Sequence, residues 1–259
     1  MSTVAEGDDA DLARRFAGLE RLHGPAGYAR LRAARFTVIG VGGVGSWTAE
    51  ALARSGVSRL TLIDLDNVAE SNVNRQVHAL TPTLGQAKVL ALQERIALIH
   101  PGCQVDAIEE FVDEDNVATL LSAATTDVVI DCCDQVRAKA AAIAWAWQAG
   151  KPVLTVGAAG GKTEPHRVDL ADLAEVTHDP LLASLRQRLR QRHNGARRGA
   201  MGVTCVFSRE AVRGSQAASC EQPQRSGSLN CAGYGSSVMV TATFGMVAAA
   251  EAVKLVLQS

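Results

Sequence analysis

The chain has almost no net charge, no Cys-x-x-Cys pair, no visible internal repeat and no long apolar run free of small polar residues. Each absence removes a class of protein. With 26 Lys and Arg against 27 Asp and Glu it is not a globally polybasic nucleic-acid binder, although a local basic surface remains open. The six cysteines, Cys103, Cys132, Cys133, Cys205, Cys220 and Cys231, lack the spacing of an ordinary four-thiolate zinc site. Residues 1 to 11 are polar and acidic where a secretory leader needs positive charge followed by an apolar segment, so a reducing, cytoplasmic location is expected. The segment from 232 to 257 approaches membrane-spanning length, but Gly233, Gly235, Ser236, Ser237, Thr241, Thr243 and Gly245 interrupt it. It reads as a close-packed core or interface helix.

What is present suits an α/β protein. A chain of 259 residues that is 47% hydrophobic can bury a substantial core, and one compact unit is expected. Apolar, β-branched runs at 36–40, 60–64, 104–111, 127–131 and 152–156 alternate with helical patterns at 44–55, 85–99, 114–123 and 137–149. Runs apolar on both faces and separated by helices predict a doubly wound, mainly parallel, Rossmann-like sheet. After residues 157–161 the pattern changes to short strands at 166–170 and 202–207, a helix at 180–192 and a polar run at 214–230 long enough to suggest a functional flap. We therefore expect one domain with a helical segment at 1–34, a nucleotide-binding core at 35–161 and an appended α+β region at 162–259.

The strongest motif is the strand Phe36-Thr37-Val38-Ile39 leading into Gly40-Val41-Gly42-Gly43-Val44-Gly45. Glycines between a strand and a helix let backbone N–H groups approach a phosphate with no Cβ in the way. Asp64 ends the next apolar run, where an acceptor for ribose hydroxyls belongs. Asn72, Arg75 and Gln76 follow, and Lys88 opens the next helical pattern. A nicotinamide enzyme does not require cations there, whereas cleavage of ATP needs positive charge on the departing phosphates. The strand at 127–131 runs into Asp131-Cys132-Cys133-Asp134. In a doubly wound sheet that turn, the glycine loop and Asp64 share the edge at the carboxyl ends of the strands. Asp131 reads as a turn cap, and Asp66 and Asn67 as a turn.

In this order, Gly40-x-Gly42-Gly43-x-Gly45, Asp64-x-Asp66, Ser71-Asn72-x-x-Arg75-Gln76, Gly85-x-x-Lys88 and Asp131-Cys132-Cys133-Asp134 resemble the adenylating enzymes of the ubiquitin-activating and molybdopterin-synthase-activating superfamily. Residues 49–56, 74–80, 157–161 and 240–245 are similar to its tRNA threonylcarbamoyladenosine dehydratase branch, and the likeness covers about 12 to 257. The resemblance implies ATP and Mg²⁺, with room for a monovalent cation. It implies that Gly40, Gly42, Gly43, Gly45, Asp64 and Asn72 bind the nucleotide, that Arg75 and Lys88 neutralise the triphosphate, and that Asp134 carries the metal. Arg75, Lys88 and Asp134 are then the catalytic residues. The implied reaction is ATP-dependent cyclisation of N6-threonylcarbamoyladenosine beside the tRNA anticodon, through adenylation of the threonyl carboxylate. The alternative is activation of the C-terminus of a ubiquitin-like sulfur carrier. Implied partners are the modified tRNA, a second copy of the chain and a sulfur-relay protein, with no role for DNA.

Residues 186–198 contain Arg186, Arg188, Arg190, Arg192, Arg197 and Arg198 without an intervening acid. Among these, Arg186, Arg190, Arg197 and Arg198 are candidates for contacts to a tRNA backbone. Cys231 is a candidate thiol, although adenylation alone needs no thioester. His78 lies beside the Arg75 motif and is a candidate neighbour of ATP. The superfamily's Arg-aromatic-x-Arg opening is incomplete here, reading Arg15-Phe16-Ala17-Gly18, so Arg15 or Arg21 would have to act across a dimer.

Overall fold

The computed structural model describes residues 5–212 and 234–258. Seven strands form one sheet, in which β1 (Arg35–Ile39), β2 (Arg59–Ile63), β3 (Gln104–Ile108), β4 (Val128–Asp131) and β5 (Val153–Val156) run parallel. Two later strands, β6 (Val168–Asp172) and β7 (Thr204–Ser208), complete the order β3-β2-β1-β4-β5-β7-β6. β7 lies parallel to β5, and β6 returns antiparallel at the edge. The mainly parallel fold thus holds, while the region expected as an appendage extends the same sheet.

The strands form where helices cover both faces, which is why β1, β4 and β5 are buried almost end to end and mostly apolar. On one face lie α2 (Gly45–Arg54), α3 (Lys88–Ile99) and α7 (Val238–Gln258), with Leu52, Leu92 and Phe244 in the core. On the other lie α4 (Val117–Ala123), α5 (Val136–Ala149) and α6 (Pro180–Arg192), contributing Leu121, Ile143 and Leu185. The N-terminal α1 (Ala5–Ala33) is broken at Gly24, whose φ of 72° precedes Pro25.

α7 is long and apolar enough to cross a membrane by length and composition. Here Val240, Phe244, Ala248, Ala252 and Val256 repeat every fourth residue and are buried against the sheet and α2. Gly245 permits the close approach: a Cβ there would stand 2.7 Å from both Trp47 Cβ and Val44 O. This packing matches the expected core helix.

Register positions the site. Ile39 sits opposite Ile63 on one side and Asp131 on the other, so β1, β2 and β4 end at one level. The chain winds from β1 toward β3 on one side and resumes with β4 on the other, creating the crevice where ligands of such sheets bind.

Candidate active site

The cleft at this crevice is floored by the glycine loop. Gly40 adopts φ +79°, and its N–H donates to Ile63 O at 2.8 Å. A Cβ on Gly40 would lie 2.9 Å from the backbone of Cys133, so only glycine lets the two loops meet. A Cβ placed on Gly42 would meet nothing nearer than Gln76 Nε2 at 3.8 Å, so this side of the loop is open to the cleft. Gly40, Gly42 and Gly43 line that cleft. Gly45 has a different role from the one expected: it is buried, and a Cβ would collide with Gly40 O. α2 begins without a side-chain cap; Ser46 N donates to Gly42 O at 3.1 Å, and the helix N-terminus as a whole suits an anion.

Asp64 ties the second strand to this loop. Its Oδ2 accepts from Val41 N at 2.8 Å and its Oδ1 from Asp66 N at 2.9 Å. Burial pushes its pKa up, so hydroxyl donors from a ribose would favour its charged form. Lys88, at the start of α3, is buried and places Nζ 2.7 Å from Asp66 Oδ2. Asp66 is therefore more than a turn residue, since it lines the cleft and holds one of its cations. Arg75 also lines the cleft, with Nη1 donating to Ser71 O at 2.6 Å and Asn74 Oδ1 at 2.8 Å. Its backbone oxygen accepts from Trp47 Nε1 at 3.0 Å and Thr241 Oγ1 at 3.3 Å, fixing the segment against α2 and α7.

Asp134 lies on the cleft wall, and burial raises its carboxyl pKa. Gln76 is buried there, with Oε1 finding no partner among the described residues. Two neighbours behave differently from expectation. Asn72 is buried outside the cleft lining, where its Oδ1 accepts from Ala69 N at 3.0 Å and closes a short helical turn. His78 is also buried away from the lining, with a pKa lowered to about 4 by burial, so near neutrality it brings no positive charge to a nucleotide.

Beneath the cleft is a fully buried ion pair. Lys139 Nζ reaches Asp131 Oδ2 at 3.1 Å, Thr155 Oγ1 at 3.1 Å and Val156 O at 2.8 Å. Asp131 also accepts from Thr155 Oγ1 at 2.6 Å and from Cys133 N at 3.2 Å, consistent with its reading as a turn cap. Lys139 escaped the sequence reading, although one lysine on the apolar stripe of an Ala-rich helix signals a buried partner. Burial raises the thiol pKa of Cys132 to about 12 and that of Cys133 well above its ordinary value, so both are protonated. Cys231 and the polar run at 214–230 lie outside the described residues.

The second half lines the cleft through Pro180, Leu181 and Val212, and Asp179 ties it to the cleft wall. This residue caps α6, accepting from Leu182 N at 3.0 Å, and its other oxygen accepts from Ala158 N at 2.9 Å. The candidate tRNA-contact arginines lie outside the cleft lining and divide into two groups. Arg186 Nη1 donates to Leu173 O and Val176 O at 3.0 Å, and Arg190 Nε donates to Ala196 O at 3.0 Å. Arg197 and Arg198 are exposed. Arg15 is held within its own chain by Asp11 and by Ile99 O, whereas Arg21 is exposed.

Among the described residues no three His, Cys, Asp or Glu side chains gather into a metal cage. Mg²⁺ usually takes one or two carboxylates together with substrate phosphates. Asp134, a carboxylate on the wall of the cleft, fits that donor set.

Comparison with known proteins agrees with this geometry. The ThiF family model matches residues 12–259. The chain is 44% identical over 252 residues to the tRNA threonylcarbamoyladenosine dehydratase of Escherichia coli (strain K12), covering 93% of this chain and 92% of that protein. The crystal structure of the E. coli tRNA N6-threonylcarbamoyladenosine dehydratase in complex with ATP superposes with a TM-score of 0.85 at 42% identity, covering 95% of each chain. The AMP complex of the E. coli enzyme gives a TM-score of 0.87 at 40% identity, covering 100% of this chain and 98% of that one.

Proposed function

This chain belongs to the ThiF family, and from that membership and the geometry of its cleft we propose that it is an ATP-dependent tRNA threonylcarbamoyladenosine dehydratase. The observation that carries the reading is the convergence of the glycine loop, Asp64, Arg75, Lys88 and Asp134 on one cleft. Two cations lining one cleft suit a reaction in which charge builds on departing phosphates. The threonyl carboxylate attacks the α-phosphorus of ATP, forming an acyl-adenylate as the bond to the β-phosphate breaks and pyrophosphate leaves. The side chain's own carbamoyl group then attacks the acyl carbon, loses a proton and expels AMP, so the nucleoside loses one water in total. Ring closure within one molecule has a large effective concentration, and the protein's task is activation and positioning.

In this reading Asp64 holds the ribose hydroxyls while Gly42 and Gly43 admit the phosphates against backbone N–H groups. Arg75 and Lys88 stabilise charge on the leaving pyrophosphate. Asp134 would hold Mg²⁺, which when bound offsets phosphate charge. The protonated Cys132 and Cys133 take no covalent part. A second copy of the chain is assigned to the exposed Met239 and Met246 of α7, with Val73 beside the start of that helix through the Asn74 Nδ2 to Ser236 O bond of 2.8 Å. The reaction belongs in the cytoplasm with its tRNA.

The test is mass analysis of nucleosides from modified tRNA incubated with the protein, ATP and Mg²⁺. A product lighter by one water, appearing with AMP and pyrophosphate, is expected. Absence of that product with folded, ATP-binding protein would overturn the reading.

A further inference from the structure

The cleft does not stop at its nucleotide floor. Pro180 and Val212 line it, and the same two residues line a second, more open groove bounded also by Thr177, His178 and Arg186. The two hollows share a rim, so a substrate extending from the cleft toward α6 passes through this groove.

Its chemistry differs from that of the cleft. His178 is exposed and adopts φ +59°, a left-handed conformation uncommon outside glycine but more accessible to His than to bulky or β-branched residues. Its Nδ1 and Thr177 Oγ1 share a hydrogen bond of 2.9 Å, which orients the ring. Arg186 stands on the same wall, steadied by Nη1 to Leu173 O and Val176 O at 3.0 Å. The acid in this wall, Asp179, has its two carboxylate oxygens engaged by Leu182 N and Ala158 N. One turn beyond Arg186 on α6 comes Arg190, whose contact to Ala196 O holds the loop that carries exposed Arg197 and Arg198. An aromatic ring followed by a cationic path is the surface on which a single-stranded nucleic acid is held.

We propose that this groove binds the base of a nucleotide flanking the reacting adenosine, stacked on His178 with its phosphate toward Arg186. The inference rests on the dehydratase reading, because unpaired RNA loops are where bases splay out and stack on side chains. It makes His178 a selector of loop RNA, separate from the ATP machinery.

The test compares wild type, His178→Asn and His178→Phe in the full-length protein, using KM for modified tRNA, KM for ATP and equilibrium affinity for the anticodon stem-loop. Asn tolerates the left-handed backbone and removes the ring, whereas Phe retains a stacking face at some cost in backbone strain, which the unfolding midpoint of each variant separates from loss of stacking. His178→Asn is expected to raise the tRNA KM and weaken stem-loop binding about tenfold, the size of one base–aromatic stack, with the ATP KM unmoved. His178→Phe is expected to stay within about twofold of wild type on the same stacking argument. Wild-type affinity in His178→Asn overturns the groove assignment, as does equal loss in both variants. If wild type binds the stem-loop but forms no dehydrated product, the dehydratase reading falls while the His178 comparison still decides the groove.

Discussion

The cleft and the α6 arm are both rich in charge, yet they use it in opposite ways. At the cleft, β1, β2 and β4 end in register and set Asp64, Arg75, Lys88 and Asp134 around an opening. Burial raises the pKa of Asp64 and Asp134 and lowers that of Arg75, so these groups are desolvated where a charged ligand can compensate them. The arm holds the densest run of arginine in the chain, but its members differ: Arg188 meets a carboxylate in Glu114, whereas Arg186 and Arg190 are positioned by the neutral carbonyls Leu173 O, Val176 O and Ala196 O and keep their charge. Density of charge along a sequence is therefore a poor guide to its availability. What separates the two regions is burial: Lys88 and Arg75 have partners too, but the cleft gathers desolvated charges around an opening, whereas Arg197 and Arg198 of the arm are exposed.

The largest effect should come from the cleft's foundation. Lys139→Met leaves Asp131 charged and unpaired at zero exposure, and breaking such a pair costs about 3–5 kcal/mol. Chemical denaturation should show a large fall in midpoint. An unchanged midpoint would mean that the buried pair does not support the turn carrying Asp134, and the contrast with the arm would weaken.

Next come the groups that face the opening. Arg75→Ala and Asp134→Ala should each lower kcat by roughly 10²–10³, the scale for removing one transition-state charge contact. Both variants should retain near wild-type unfolding midpoints, because these side chains serve the reaction more than the core. Turnover within a few-fold of wild type in either variant would remove that residue from the site.

These expectations also mark what could be read without the structure. The parallel sheet was legible because strands buried on both faces leave unbroken apolar runs, and β1, β2, β4 and β5 begin and end within about a residue of those runs. The glycine loop, Asp64, Arg75, Lys88 and Asp134 were legible because loops following adjacent strands carry them to one edge. Asn72 and His78 were misplaced because short spacing from Arg75 gives no direction: Arg75 and Gln76 line the cleft, while Asn72 and His78 on either side of them are buried away from it. Asp66 and Asp179 were missed as partners because each acts on a group about twenty residues distant, Lys88 and Ala158. Pairing of β7 with β5 also lay beyond local pattern, since it joins segments separated by all of β6 and α6.

The smallest and most discriminating effect concerns the arm itself. If availability decides, changing exposed Arg197 and Arg198 together to Gln should weaken tRNA binding and flatten its salt dependence, because fewer counterions are released. Two lost contacts to single-stranded phosphates should reduce the log–log slope by about 1.4. Arg188→Gln is the matched control, since Arg188 Nη2 is already paired with Glu114 Oε1 at 2.5 Å, and it should leave the slope unchanged. Affinity for ATP should not move in either protein, because neither site touches the cleft lining. A slope altered equally by both substitutions would show that the arm acts as diffuse charge, and that the partners found within the chain do not withdraw an arginine from RNA.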